Sequence, residues 1–334
     1  MFLRGGVPAD DRAPGGTGEE ESGEGRPRFS IVIPVYNSAG IVGETIEACL
    51  AFFRREGHAF EVILVNDGSE DGSWEVLCEK VAVHPELVAV DLLHNCGQHT
   101  ALLCGLGLSR GEWAITLDDD LQNPPEECRH LIRKAEEGHD AVFGRFRVKR
   151  HSWSRRMGSR LVDALNRRVF GKPRDLTLTN FRILHRRVIG RMLTYRTVDP
   201  YINGLALMSA EKPTDVLVEH RPRTVGASSY GSVKIAELLM RILFNYSAYP
   251  LRVVSFLGLS VALCSLCLAL YFFVRGLLFE PRVPGWASVA VMLASFNGIS
   301  LLILGILGEY LVRVLQQLTR GQRYHVVQVL RHAA

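Results

Sequence analysis

The most concentrated chemistry in this 334-residue chain is the run Asp118-Asp119-Asp120-Leu121-Gln122-Asn123-Pro124-Pro125, which follows the apolar stretch Trp113–Leu117. Carboxylates at 118 and 120, one residue apart as they leave a strand, can aim at one point. Hard oxygen donors of this kind suit Mg2+ or Mn2+. Such a cation would bridge a diphosphate and neutralise the charge that grows as it leaves. Taken alone, an acidic turn after a strand is usually a loop or a helix cap. A second cluster, Asn66-Asp67-Gly68-Ser69, ends the apolar stretch Phe60–Val65. A carboxylate there can accept a hydrogen bond from a base N–H, and the same composition also makes a simple turn.

The net charge of +4 decides little, but its distribution is uneven. From Arg145 to Arg174 there are 11 Lys or Arg against one acid, Asp163. So dense a cluster needs an anionic partner or a solvated face. No nucleic-acid partner is expected. The seven cysteines are scattered, and the one C-x-x-C, Cys264 and Cys267, lies in an apolar run without a second pair. They read as small apolar side chains rather than metal or redox groups, and reduced thiols suit a cytoplasmic catalytic domain.

Elements that could position this chemistry alternate along the chain. Strands are expected at Phe29–Val35, Phe60–Val65, Leu87–Leu92, Trp113–Leu117 and Ala141–Phe143. Helices are expected at Val42–Phe53, about Gly72–Val83, Gln98–Leu108, and from Pro124-Pro125 to about Glu137. In the third helix Ala101, Gly105 and Gly107 allow close packing. The alternation argues for a parallel α/β sheet with helices on both faces, and ligands of such sheets collect at the carboxyl ends of the strands. The polar clusters sit at four of those ends: Tyr36-Asn37, Asn66-Asp67, Asn95 to Gln98, and Asp118 to Gln122.

Around this domain, 29–230, the composition changes sharply. Residues 1–28 are mostly Gly, Glu, Asp, Pro and Arg, offer almost nothing to bury, contain no signal-peptide core, and are expected to be a disordered tail. Val253–Val274 and Trp286–Gly308 are 22 and 23 residues without a charge. As helices each would reach ~33 Å against a hydrocarbon core of ~30 Å. Residues 251–310 therefore read as a transmembrane hairpin, followed by a C-terminal tail, 311–334. Arg241, Arg252, Arg313, Arg320, Arg323 and Arg331 flank the pair, while the connector holds only Arg275 and Arg282, which places both termini and the catalytic domain in the cytoplasm. Trp153–Phe170, and Val233–Tyr249 within the interfacial segment 231–250, mix apolar and basic residues and fit helices lying in the headgroup region; ordinary amphipathic packing on the sheet is the alternative.

The ordered set IPVYN, NDGSEDGS, NCGQHTALLCG and LDDDLQNPP resembles the family 2 glycosyltransferases with a GT-A (Rossmann-like) fold. GRFRVKR, TNFRILHRR, RTVGASSYG and the two-helix tail look like the polyprenyl-phosphate members: dolichol-phosphate mannose synthases, bactoprenol glucosyltransferases, and undecaprenyl-phosphate aminoarabinose-type transferases. The last are closest by eye, through GQHTA, LQNPPEE and ILGEYLVRVLQQLTRGQRYHVVQVL. The resemblance covers roughly residues 29–330.

The resemblance implies that Pro34, Tyr36 and Asp67 hold the nucleotide, with Asp67 on the base, and that Gly97 and Gln98 lie near base and ribose. Asp118, Asp120 and Gln122 would bind the divalent cation, with Asp119 at the variable middle position. Arg147, Arg150 and Arg160 would gather the lipid phosphate, joined by Arg223 and Ser228. The implied reaction is inverting transfer from a nucleotide-sugar, UDP before GDP, to a polyprenyl phosphate at the membrane, in a monomer or a homo-oligomer. Ser38 stands where many relatives have Glu, Asn66 where many have Asp, and Asn180 where some have an Asp that has been a candidate base; Asp175 is nearby. Three rivals remain: a processive polysaccharide synthase, for which no Q-x-x-R-W is found; a non-catalytic scaffold on the same fold; and a nucleotidyltransferase, which would not need spanning helices.

Overall fold

A strand that is apolar at every position needs cover on both faces and partners on both edges. In the structure, a computed structural model, Phe29–Val35 (β1) is close to such a strand, apolar at every position but Ser30 and buried at all seven. The structure describes residues 26–146, 153–195, 197, 200–221, 286–319 and 324–332, with isolated positions between 240 and 274. In chain order, β1 is followed by α1 (Ala39–Arg55), β2 (Phe60–Asn66), α2 (Ser73–Val83), β3 (Leu87–Leu92), α3 (Gln98–Leu108) and β4 (Trp113–Thr116). A 3-10 turn, Pro125–Glu127, leads into α4 (Cys128–Glu136) and β5 (Ala141–Phe146). Then come α5 (Trp153–Phe170), β6 (Arg182–His185), α6 (Arg186–Thr194), α7 (Ile202–Ser209), β7 (Pro213–Val218), α8 (Trp286–Thr319) and β8 (Val326–Arg331).

The eight strands form one sheet in the order β7-β5-β6-β4-β1-β2-β3-β8. β1 pairs in parallel with β2 and β4, β2 with β3, and β5 with β7. β6 runs antiparallel to both β4 and β5, and β8 antiparallel to β3. The five strands expected from sequence are all present, and the α/β class with a mostly parallel sheet holds; β6, β7 and β8 were not anticipated. The segment 311–334, expected to be a tail, contributes β8 to the edge of the sheet.

Helices cover both faces. One core joins α1, α2 and α4 to the sheet through residues such as Ile46, Phe53, Leu77 and Leu131. The other joins α3, α6 and α7 through Leu103, Val188 and Leu205. α3 lies close because of Gly105: a Cβ there would collide with Val32 and press Val65 at 3.1 Å. Gly107 has ordinary room, with its nearest neighbour at 3.7 Å. The six described cysteines are free, and Cys49, Cys104 and Cys128 are buried.

The last half of α5 packs on α7: Phe170 is buried, its ring 5.7 Å from that of Tyr201 and 5.2 Å from that of Tyr246. Leu161 on the same helix is 56% exposed. The packed face matches the reading of ordinary amphipathic packing on the sheet. Most of Val233–Tyr249 lies outside the described residues, though Ile242 is buried. Trp286–Gly308 falls inside the 34-residue helix α8. Among the described residues no helix is long and apolar enough to cross a membrane; several side chains of α8, and most of Val253–Val274, fall outside that description.

Candidate active site

Each parallel strand releases its chain at the same end of the sheet, so the loops after β1, β2, β3 and β4 meet there. Register fixes their alignment: Val35 lies beside Asn66, and Asn66 beside Asp91. Asn66 extends that pairing by donating from Nδ2 to Asp91 Oδ1 at 2.7 Å. An asparagine at this first position is therefore a neutral partner for a neighbouring carboxylate.

Asp67 is 2% exposed and accepts the backbone N–H groups of Cys96 at 2.7 Å and Gly97 at 2.9 Å. Its carboxylate thus holds the loop after β3, where the resemblance implied contact with a base. Burial raises its pKa, with the two backbone hydrogen bonds opposing the shift. Gly68, at φ +64°, sits so close to Asn95 N that a Cβ would lie 2.6 Å away. Gly97, at φ +87° and ψ 149°, turns the loop into α3, a backbone conformation open to glycine. The first residue of α3, Gln98, then reaches Asp118, donating from Nε2 to Oδ1 at 2.6 Å.

The three adjacent aspartates face different ways. Asp119 is tied to the loop after β1, accepting from the backbone N–H of Tyr36 at 3.5 Å and from the Ser38 hydroxyl, while Thr45 Oγ1 donates to its carbonyl at 2.9 Å. Ser38 thereby anchors the middle aspartate. Asp120 accepts from the backbone N–H and Nε2 of Gln122, at 3.2 and 2.5 Å. Asp118 also accepts from Asn123 Nδ2 at 3.4 Å. Between Asp120 and Gln122 the chain passes through Leu121 at φ +55°, a left-handed conformation costing an L-residue about 1–2 kcal/mol. That strain sits between two candidate ligands, and the Gln122 carbonyl is fixed by Arg221 N at 2.9 Å.

Asp118 carries the largest electrostatic burden of the cluster. Burial first, then the charges of Asp120 and Asp119, push its pKa up to about 6; Arg182 and Gln98 oppose the rise. Among the described residues no group of three His, Cys, Asp or Glu side chains could hold a metal ion. A small hard cation does not need a full protein cage: one or two carboxylates suffice when substrate phosphates and waters complete the shell. Asp118, Asp120 and the Gln122 side-chain oxygen offer that donor set, and the excess negative charge at Asp118 is what a divalent cation would relieve.

Beside Asp118 opens a cavity of about 540 Å³, walled by Gly97 and Gln98 from the β3 loop, by Thr179, Asn180 and Phe181 before β6, and by Asn203 of α7. Beneath it lies Arg182, fully buried, donating to Thr116 Oγ1 and Asn203 Oδ1. Burial lowers its pKa to about 10, so it stays charged at neutral pH. Asp175 is exposed and does not line the cavity, which among the described residues contains one carboxylate, Asp118.

The sequence-derived residues divide accordingly. Gly97, Gln98 and Asp118 line the cavity, with Asp120 and Gln122 in the adjoining turn. Asp67 stands behind it. Pro34 is buried within β1, and Tyr36 is 47% exposed at that strand's end. Arg160 is exposed on α5. Arg147, Arg150, Arg223 and Ser228 lie outside the described residues. Of the 145–174 cluster, Arg145 faces Asp215 at 3.7 Å, while Arg167 and Lys172 both pair with Asp163. Arg182 and Asn203 were missed; a lone arginine in the apolar run Phe181–Leu184 was the available signal.

Against known proteins, the family model described as Glycosyl transferase family 2 matches residues 30–197. Similar solved structures include S. aureus TarS 1–349 in complex with UDP-GlcNAc, at 17% identity over 66% of this chain and 67% of that one, with a TM-score of 0.42. Another is glucosyl-3-phosphoglycerate synthase from Mycobacterium tuberculosis in complex with Mn2+, UDP and glucosyl-3-phosphoglycerate, at 16% identity over 66% and 78%, with a TM-score of 0.48.

Proposed function

The chain belongs to glycosyl transferase family 2 and is a glycosyltransferase; from that membership we propose that it transfers a sugar from a nucleotide-sugar, UDP-linked before GDP-linked, to a polyprenyl phosphate such as undecaprenyl phosphate. The observation that carries the donor half is the meeting of Asp118, Asp120, Gln122 and Gln98 at the carboxyl ends of the parallel strands, beside the cavity. A Mg2+ or Mn2+ ion held by Asp118, Asp120 and Gln122 would neutralise the diphosphate as it leaves.

The acceptor half rests on the charge-free segments Val253–Val274 and Trp286–Gly308 and on the basic stretch from Arg145 to Arg174. Exposed Phe256, Leu263, Leu293 and Leu304 in those segments are the kind of surface that lipid covers. β8 adds a topological argument: the chain after α8 rejoins the edge of the catalytic sheet. A chain that left the catalytic domain for a bilayer and returned to it would have both ends of its apolar region on one side, as a hairpin requires, and the basic flanks favour the cytoplasmic side.

In the mechanism that follows, a phosphate monoester oxygen of the lipid attacks the anomeric carbon in line, opposite the leaving diphosphate. The bond to that diphosphate breaks and the product is inverted. The acceptor oxygen is already anionic, so no strong base is needed, in keeping with Asn180 where an aspartate was a candidate. Asp67 and Gln98 fix the loop against which the donor lies. The protein supplies orientation and preorganised charge, the main sources of rate in such transfers. The test is transfer in membranes by wild type and Asp120→Ala. Acceptor-dependent, EDTA-sensitive product from wild type and none from the inserted variant is expected; full activity of Asp120→Ala would remove the metal assignment.

A further inference from the structure

Tyr201 sits where three helices and a later segment of the chain meet. The backbone turns into α7 at this residue, which is 4% exposed and lines the cavity beside Asp118 together with Asn203. Its ring lies edge-on to that of His99 from α3, 5.7 Å away, and its hydroxyl accepts from Asn166 Nδ2 of α5 at 3.3 Å. Phe170, the last residue of α5, packs against the same ring. Gly204 makes room for this arrangement: a Cβ there would come within 2.6 Å of two Phe170 ring carbons and 2.7 Å of Tyr201 Cδ1.

The later segment is the one that approaches the apolar region. The Tyr246 hydroxyl oxygen accepts the backbone N–H of Tyr201 at 2.8 Å, and the Tyr246 ring packs 5.2 Å from that of Phe170. N–H groups at the start of a helix find no partner within it, so this phenol holds the point at which α7 begins, and with it the wall that carries Tyr201 and Asn203. Tyr246 is itself held: its backbone N–H donates to the Ile242 carbonyl at 3.2 Å, and Ile242 is fully buried. It stands seven residues before the charge-free segment Val253–Val274, a reach of at most about 25 Å. The chain that returns after α8 also arrives at this site. The Leu93 N–H donates to the His325 carbonyl at 3.0 Å, just before the loop that brings Gly97 and Gln98 to the cavity.

We propose that Tyr246 is a positioning residue for transfer and that it links the seating of the chain on a bilayer to the cavity wall. Where the segment approaching Val253 is held at a lipid surface, the Tyr246 hydroxyl fixes Tyr201 and the start of α7. Where it is not, that hydrogen bond opens and the wall loosens. The inference rests on the bilayer reading of the apolar region given above, and adds to it a route by which the membrane acts on the site. A bilayer shifts such an equilibrium only as far as it favours one state over the other, and one hydrogen bond between neutral groups limits the effect to about 3- to 10-fold.

The test compares full-length wild type and Tyr246→Phe in proteoliposomes and in detergent micelles. Phenylalanine keeps the ring beside Phe170 and removes the acceptor. Hydrogen exchange is read in a peptide spanning 198–205, and transfer to undecaprenyl phosphate is read with UDP-glucose, UDP-xylose, UDP-N-acetylglucosamine and GDP-mannose as donors. Wild type should exchange about 3- to 10-fold more slowly in the bilayer than in micelles, with kcat higher in the bilayer by a similar factor. Tyr246→Phe should exchange at the faster rate in both and lose the bilayer's advantage in kcat, while its Kd for UDP stays that of wild type. A tyrosine that only supports the fold would speed exchange by the same factor in both environments. That result would overturn the inference, as would wild-type exchange that is the same in bilayer and micelle. Liposome flotation checks the premise separately: if wild type does not float with the liposomes, the bilayer reading fails and this inference with it. If it floats but transfers no sugar, the acceptor reading is what fails, and the exchange comparison still decides the link from Tyr246 to the cavity wall.

Discussion

Asp118→Asn should make the metal-free protein more stable at neutral pH while abolishing transfer. In the folded chain the Asp118 carboxyl is raised from 3.8 to about 6, chiefly by burial and by two neighbouring carboxylates. Below about pH 4 the folded and unfolded states both hold the proton, and no penalty is felt. As pH rises the unfolded chain ionises first, and stability falls until the folded carboxyl ionises near 6. Above that, the cost levels off at about 3 kcal/mol. Asparagine removes the charge, but one amide oxygen cannot replace two carboxylate oxygens facing Gln98 and Asn123, so about 1 kcal/mol is returned. The net gain is about 2 kcal/mol, or roughly 4–8 °C in Tm for a domain of this size. Thermal unfolding in EDTA, at pH 4 and pH 7.5, measures it. The variant should gain at pH 7.5 and not at pH 4, and Mn2+ with UDP should raise the Tm of wild type but not of Asp118→Asn. A variant less stable than wild type at pH 7.5 would refute the claim that unrelieved negative charge collects at this position.

Asp67→Ala removes an acceptor of two half-buried backbone N–H groups; loss of about 1–3 kcal/mol of local stability should accelerate hydrogen exchange in peptides spanning 93–98 and lower kcat/KM about 10- to 100-fold. Gly105→Val drives a side chain into Val32 and Val65; destabilisation of about 1–3 kcal/mol is expected as a lower Tm, with the nucleotide Kd unchanged in the protein that remains folded. Deleting residues 324–334 strips β8 from β3 and exposes an edge of unpaired backbone groups; light scattering should report association that the full chain does not show.

The parts of this protein that could be read from sequence were those whose local pattern matches their final surroundings. β1 to β3 are mostly apolar runs because both faces are covered, and their ends were visible as the polar clusters Tyr36-Asn37, Asn66-Asp67 and Asn95 to Gln98. β6 is four residues long and contains Arg182, an ion whose partners, Thr116 and Asn203, lie 66 and 21 positions away. β7 is half-exposed along most of its length and β8 is mostly solvent-facing. Nothing in their own residues announces a strand, because long-range pairing makes them one. The same reason hid half of the site. Asp118 and Gln98 stand at the ends of legible elements, whereas Asn203 reaches the cavity from α7 through the antiparallel crossover of β6. Asp67 was noticed for its carboxylate but assigned to a ligand; that the β3 loop folds back to donate two backbone N–H groups is a property of the loop, invisible in the motif.

The most direct measurement is mass spectrometry of the lipid extracted after purified protein in proteoliposomes is given undecaprenyl phosphate, Mn2+ and a panel of nucleotide-sugars. The account predicts a new species, polyprenyl phosphate plus one sugar, that requires both the lipid and the cation and is absent with Asp120→Ala. Sugar transferred to a water-soluble acceptor in cell extract, with the lipid left unmodified under every donor, would contradict it.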